Sequence, residues 1–170
     1  LEVFVEPILP KPQLIIVGGG HVGKAVTHLA KWLGFHVIVS DDRPEFCTAI
    51  ENPEADELYP VNMADLPKHL NITCSSYLVL TTRGANVDIE GLKPLLNTPA
   101  AYIGVIGSKR RWLTTRKALL KQGIPEETLN KVHSPMGLEL QAETPQEIAI
   151  SVLAEIIAIR NGGTGKSMKI

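Results

Sequence analysis

Only two cysteines, Cys47 and Cys74, occur in the 170 residues, and they do not form a CxxC pair. That excludes a disulfide-stapled scaffold and points to a reducing, cytoplasmic setting. An excess of charge of either sign is missing too: 17 Lys and Arg face 18 Asp and Glu, for a formal net charge of -1. No global basic field therefore argues for nucleic acid or an anionic membrane. No apolar run reaches the roughly 18 residues of a membrane-spanning helix, and no basic segment followed by an apolar one opens the chain. The histidines at 21, 28, 36, 69 and 133 have no HExxH or CxxC company, so no metal centre is indicated. A GxSxG nucleophile elbow is absent, and no carboxylate pair has a spacing that compels acid–base chemistry. The tail segment Gly163-Thr164-Gly165-Lys166-Ser167 imitates a phosphate loop, but Arg160 stands where glycine is required and the segment follows a helix. What is left favours a cofactor-binding protein without a catalytic set of its own.

What is present is a core. Apolar types make up 44 % of the chain, enough for one compact domain. Leu14-Ile15-Ile16-Val17 is a short, wholly apolar run, as in a strand covered on both faces. Val22, Ala25, Val26, Leu29, Ala30 and Leu33 then recur at helical spacing, ended by Gly34. Further strands are predicted at 35–39, 57–59, 77–80 and 102–106, and helical segments at 65–70, 88–96 and 109–121. Short strands alternating with helices predict an α/β fold: a Rossmann-like, doubly wound, mostly parallel sheet with helices on both faces and the first strand near its centre. Residues 1–12, with Pro7, Pro10 and Pro12, read as an edge strand or an incoming linker, 13–160 as the domain, and 161–170 as a flexible tail. Thr144-Pro145-Gln146-Glu147 is a capping box with proline at the first helical position. The helix it opens is apolar on nearly every side from Ile148 to Ile159, so it is either sandwiched in the domain or buried against another subunit.

The chemistry concentrates in the turn after the first strand. Gly18-Gly19-Gly20-His21-Val22-Gly23 sets a GxGxxG pattern between a strand and a helix, the context of a dinucleotide-binding turn. Gly18 permits the tight turn, Gly20 clears the approach of a pyrophosphate, and Gly23 lets helix and strand pack closely. The helix start then offers free N–H groups and its positive dipole end. Asp41, at the end of the second strand, is placed to accept from a ribose 2′-OH, with Asp42 and Arg43 beside it. Arg43 pairs with the acid, stacks on a base or contacts a phosphate. His21 either binds ligand or merely covers the turn. Alternatively the glycines only shape a turn in a domain that binds nothing.

Ligands of open parallel sheets lie beyond the C-terminal strand ends. Thr82, Arg83 and Gly84 follow the fourth strand, with Asp88 as a further contact or an ordinary helix cap. Gly107, Ser108, Lys109 and Arg110, with Arg111, follow the fifth and form a second candidate anion cradle, or a solvated basic face with Arg116, Lys117 and Lys121. His133, Pro135 and Gly137 lie in a polar loop before the last helix, as ligand contacts or loop shapers.

These strings together resemble the xanthine dehydrogenase accessory family, the molybdenum-cofactor chaperones. The resemblance runs from about Pro12 to Arg160. It is carried by the glycine turn, Asp41-Asp42-Arg43-Pro44-Glu45-Phe46, Thr82-Arg83-Gly84, Tyr102-Ile103-Gly104-Val105-Ile106-Gly107-Ser108, His133-Ser134-Pro135-Met136-Gly137-Leu138 and Glu143-Thr144-Pro145-Gln146-Glu147-Ile148-Ala149. It implies a C-terminal Rossmann domain and binding of a molybdopterin-type molybdenum cofactor. It also implies assistance in the cofactor's sulfuration and delivery to a molybdenum hydroxylase such as xanthine dehydrogenase. The partners implied are that client, a sulfurtransferase, a second copy in a homodimer, and an N-terminal domain or separate subunit with a cysteine segment. Two departures stand out: Gln141 where the family often has glycine, expected to alter a loop, and Ala85 where a histidine is usual. The other readings are an NAD- or NADP-dependent oxidoreductase or nicotinamide-nucleotide sensor, and a structural dimerisation module without ligand.

Overall fold

The computed structural model describes residues 3–4 and 11–169. The expected edge strand or linker at 1–12 therefore lies largely outside the described residues. The strands are β1 (Gln13–Val17), β2 (His36–Ser40), β3 (Glu57–Tyr59), β4 (Ser76–Leu80) and β5 (Tyr102–Val105). All pair in parallel, in the order β3-β2-β1-β4-β5, so β1 is central as expected. Helices α1 (His21–Trp32), α2 (Leu66–His69), α3 (Ala85–Leu96), α4 (Lys109–Lys121), α5 (Glu126–Leu129) and α6 (Pro145–Asn161) cover the sheet. The short α5 has no counterpart among the predicted elements, and α3 begins three residues earlier than its sequence pattern predicts.

The unbroken apolar strands are explained by burial on both faces. Leu14, Ile16, Val37, Val39, Tyr77 and Val79 point into a core completed by Val26 and Ala30 of α1 and Val152, Leu153 and Ile156 of α6. Ile15, Ile38, Leu78 and Leu80 point the other way, onto Leu66, Leu92, Leu95 and Leu119. The chain winds outward from β1 to β3 and returns to β4, so the strand order reverses between β1 and β4. A crevice opens at the C-terminal ends of the strands on either side of such a reversal.

The final helix separates the two alternatives its composition leaves open. It packs on α1 through Ala149, Val152, Leu153 and Ile156, the i, i+3, i+4, i+7 stripe of a surface helix. Ile150, Ile157 and Ile159 stay 51 %, 37 % and 39 % exposed, so the helix is not sandwiched within the domain. Its start is the expected capping box, Thr144 accepting from the Glu147 N–H and Glu147 accepting from the Thr144 N–H. Residues 163–169 carry no regular element. Gln141 stands in the left-handed region at φ 51°, so the backbone there keeps a conformation that favours glycine.

Candidate functional site

A crevice of about 480 Å³ opens between the tips of β1, β2 and β4, bounded by the Asn62–Asp65 turn and the first turns of α3. That is the size of a small-molecule site. Its floor is Val17, Gly18 and Gly20, and Asp41, Asp42, Arg43, Thr82 and Arg83 stand on its walls.

The glycines of the turn separate cleanly by what a side chain would meet. Gly18 sits at φ 120°, and a Cβ there would lie 2.7 Å from the Thr81 carbonyl oxygen. A Cβ on Gly19 would lie 2.2 Å from the Phe46 carbonyl oxygen, and one on Gly23 only 1.9 Å from that of Gly18. Gly18, Gly19 and Gly23 are thus required by the fold. Gly20 is different: its φ of -76° suits any residue, and a Cβ there would meet nothing within 4 Å. It is also the N-cap of α1 and supplies no side-chain cap. Gly84, the N-cap of α3, shares both properties, with extended backbone and open space around it. Serine, threonine, aspartate or asparagine would stabilise either position as a cap. Both helix starts leave their N–H groups uncapped by a side chain, the arrangement that accepts phosphate; Gly20 lines the crevice itself, whereas Gly84 lies just outside its lining, between Arg83 and Val87, which belong to it.

Asp41 is buried, and its carboxylate accepts from the Gly19 N–H at 2.9 Å, the Arg43 N–H at 3.0 Å, and Arg43 Nε and Nη2 at 2.9 Å each. Those bonds occupy the roughly four acceptor positions of a carboxylate, so a ribose hydroxyl at Asp41 requires one of them to open. The Arg43 guanidinium also lies over the Phe46 ring at 3.8 Å. Across the crevice mouth, Arg83 grips Asp42 with two bonds of 2.6 and 2.7 Å. The Arg83 bond holds the Asp42 carboxyl below its ordinary value.

Behind this rim lies a network that sequence reasoning does not identify. Asp88 is fully buried, and Thr82 Oγ1 donates to it; Arg111 Nε and Nη2 donate to it at 3.0 and 2.7 Å. Arg111 also donates to the Thr82 carbonyl at 3.1 Å. Asp88 is therefore neither a cap nor a ligand contact. It is the counter-charge of Arg111, the third of the cations at the start of α4, and it ties that helix to the tip of β4. Thr81, beside Thr82, spends its hydroxyl within the fold, donating to the Gly18 carbonyl at 2.8 Å.

The remaining candidates are not brought to the crevice. His21 is exposed and faces a groove between α1 and α6 with Lys24 and Gln146, while Val22 packs on the core. Gly107, Ser108, Lys109 and Arg110 lie outside the crevice lining, and Ser108 Oγ already caps α4 by accepting from the Arg111 N–H at 3.2 Å. Gly107 sits at φ 134°, where glycine is favoured.

His133, Pro135 and Gly137 instead lie in the loop before α6, where His133 pairs with the edge of the sheet and Gly137 with α6. The His133 N–H donates to the Ile103 carbonyl, and its own carbonyl accepts from the Val105 N–H, both at 2.9 Å. Its ring stacks on Tyr102 at 4.7 Å and faces Glu155 at 3.4 Å. Glu155 also accepts from the Tyr102 hydroxyl at 2.6 Å and from the Gly137 N–H at 2.9 Å. Burial pushes the Glu155 carboxyl up, but the His133, Tyr102 and Gly137 bonds more than reverse this and leave it below its ordinary value. A carboxyl depressed in this way stabilises the fold above its unfolded-state pKa, and that contribution is lost as pH falls through the folded value. Glu155→Gln should therefore cost about 1–3 kcal/mol at neutral pH. In urea melts, the gap from the parent should close below about pH 4. A gap that persisted unchanged in acid would show that charge plays no part.

Among the described residues, no three His, Cys, Asp or Glu side chains are grouped to hold a metal ion, and no helix is long and apolar enough to cross a membrane.

Comparison with known proteins agrees with this architecture. An uncharacterised Escherichia coli (strain K12) protein, YqeB, is 33 % identical over 169 residues, covering 99 % of this chain and 31 % of the relative. A Bacillus subtilis (strain 168) protein described as a probable xanthine dehydrogenase component is 35 % identical over 159 residues, covering 94 % of this chain and 46 % of the relative. The crystal structure of a xanthine dehydrogenase from Bacillus halodurans superposes with a TM-score of 0.78 at 34 % identity, covering 90 % of this chain and 45 % of that one. The chain thus spans between about a third and a half of the length of these relatives. Residues 14–156 match the family described as the XdhC Rossmann domain, which is the whole sheet with α1 to α5 and most of α6. The chain belongs to the XdhC family and is its Rossmann-type domain.

Proposed function

We propose that the crevice receives the phosphate-bearing part of a molybdopterin-type cofactor or a related nucleotide. The chain then acts as an accessory factor that assists sulfuration of the cofactor and its insertion into a molybdenum hydroxylase such as xanthine dehydrogenase. The observation that carries this reading is Gly20. The fold does not need a glycine there, a capping side chain would stabilise α1, and yet the space and the N–H groups stand open. A phosphate fits that space and those donors. Gly84 repeats the arrangement on α3. The molybdenum is cargo in this reading, and retention falls to the phosphate end. A client hydroxylase, a sulfurtransferase and a second copy of the chain are the partners it implies.

The test is Gly20→Asn. Asparagine is a strong cap whose oxygen accepts from the N–H groups a phosphate would use. The variant should melt within about 1 kcal/mol of the parent, while calorimetric affinity for a molybdopterin-type cofactor drops at least roughly tenfold. Equal affinity in parent and variant would remove the turn from the site. Selective binding of NAD or NADP, with no affinity for the pterin, would favour the oxidoreductase or sensor reading instead.

A further inference from the structure

Two guanidinium groups line the crevice, and they are held very differently. Arg43 is locked to Asp41 of its own loop, whose side chain is only 2 % exposed, and it rests on Phe46. Arg83 is held by Asp42 from the opposite wall, and the two side chains are 49 % and 27 % exposed. An exposed pair of this kind contributes little to stability, so it is easily exchanged. The partners meet fork to fork, with two parallel bonds, and a phosphate offers a guanidinium the same two-oxygen geometry as a carboxylate. Arg83 also directly precedes Gly84, the open start of α3.

Resting on the phosphate-binding reading above, we propose that Asp42 is an internal competitor for the ligand's phosphate on Arg83. In the free protein Asp42 occupies the guanidinium; a ligand seated on the glycine turn takes its place. The walls of the crevice carry Asp41, Asp42, Asp65 and Glu90 against Arg43 and Arg83, so an incoming anion meets a net negative charge. A small monovalent anion that cannot also use the helix starts is therefore turned away. A phosphate-bearing ligand that reaches both the turn and Arg83 displaces Asp42 and is retained. Asp42 thus sets the affinity threshold of the site and restricts its ligands to the nucleoside-diphosphate class and similar phosphate-bearing molecules.

The test is calorimetric titration of the whole chain with ADP at low ionic strength. Parent, Asp42→Asn, Arg83→Gln and the double variant are compared, each first shown by its melting curve to be folded. Asp42→Asn should bind about 1.5- to 5-fold more tightly than the parent, the range expected from freeing an exposed charge pair. Arg83→Gln should bind more weakly, and adding Asp42→Asn to it should recover little. Unchanged or weaker binding by Asp42→Asn overturns the proposal. So does a double variant that keeps the full gain, because the gain would then be a general charge effect. If the parent binds ADP and Gly20→Asn does not, yet Asp42→Asn fails to tighten, only the competitor role falls. If the parent does not bind ADP, the nucleoside-diphosphate class and the competitor role both fall. Should the molybdopterin-type cofactor also fail to bind, the phosphate-binding reading goes with them.

Discussion

Gly23→Ala should destabilise the chain by at least about 3 kcal/mol, the upper end of what an overpacked site costs. A Cβ at this position falls 1.9 Å from the Gly18 carbonyl oxygen, which is backbone and cannot rotate away. Relief would require α1 to lift from β1, and α1 carries Val26 and Ala30 of the core with it. The expected result is a large fall in the urea midpoint, or insoluble protein. Gly20→Asn, three residues earlier in the same motif, is the internal control and should leave the midpoint nearly unchanged. If both variants unfolded, Gly20 would be a structural glycine and its value as a marker of the ligand would disappear. If neither did, the turn would be more compliant than its contacts imply.

The second large effect is expected at Asp88. Its carboxylate is fully buried, and the Arg111 side chain that faces it is 19 % exposed. Breaking such a pair from one side strands the other charge, at a cost of about 3–5 kcal/mol. Asp88→Asn and Arg111→Met should each fall in that range in urea titrations. The combination of Asp88→Leu with Arg111→Met should recover at least half of the loss, because apolar partners of similar volume leave no charge unpaired. The effect reaches function through Thr82, which the same network holds beside the crevice. The single variants should therefore also weaken ligand binding. Single variants as stable as the parent would mean that the pair is dispensable, and that Thr82 is positioned by β4 alone.

The fold was legible because its signals are local. An apolar run, a glycine-constrained turn and a helical stripe fall in order between Leu14 and Leu33, and each restricts what can follow. The glycine turn could be read for the same reason: steric need and ligand access act within six residues. Pairings set by packing were invisible. Arg111 and Asp88 are 23 residues apart and meet only because α3 and α4 lie side by side, so in the sequence Arg111 is one more cation of a candidate anion cradle or basic face. Glu155 was hidden in a helix whose composition is almost wholly apolar, and nothing nearby shows that it faces Tyr102 and His133. A lone acid among isoleucines is itself a signal, since an unpartnered carboxylate seldom persists in such company. His133 and Gly137 belong to a conspicuous string, yet the His133 backbone pairs with the sheet edge and the Gly137 N–H with Glu155 of α6, neither with the crevice. At Asp41 the fingerprint locates the acid on the crevice wall but does not show that its acceptors are engaged from within the loop.

The Asp41 clamp has a thermodynamic consequence. By bonding the Gly19 N–H and both the backbone and side chain of Arg43, it joins the β1 and β2 tips into one rigid unit before any ligand arrives. The entropy of ordering the turn is then spent in folding and not in binding, so little of the interaction energy is consumed by loop closure. On the proposed reading, association at such a preformed cradle is limited by encounter and by the exchange of one exposed side chain, and uptake and release leave the shape of the domain unchanged.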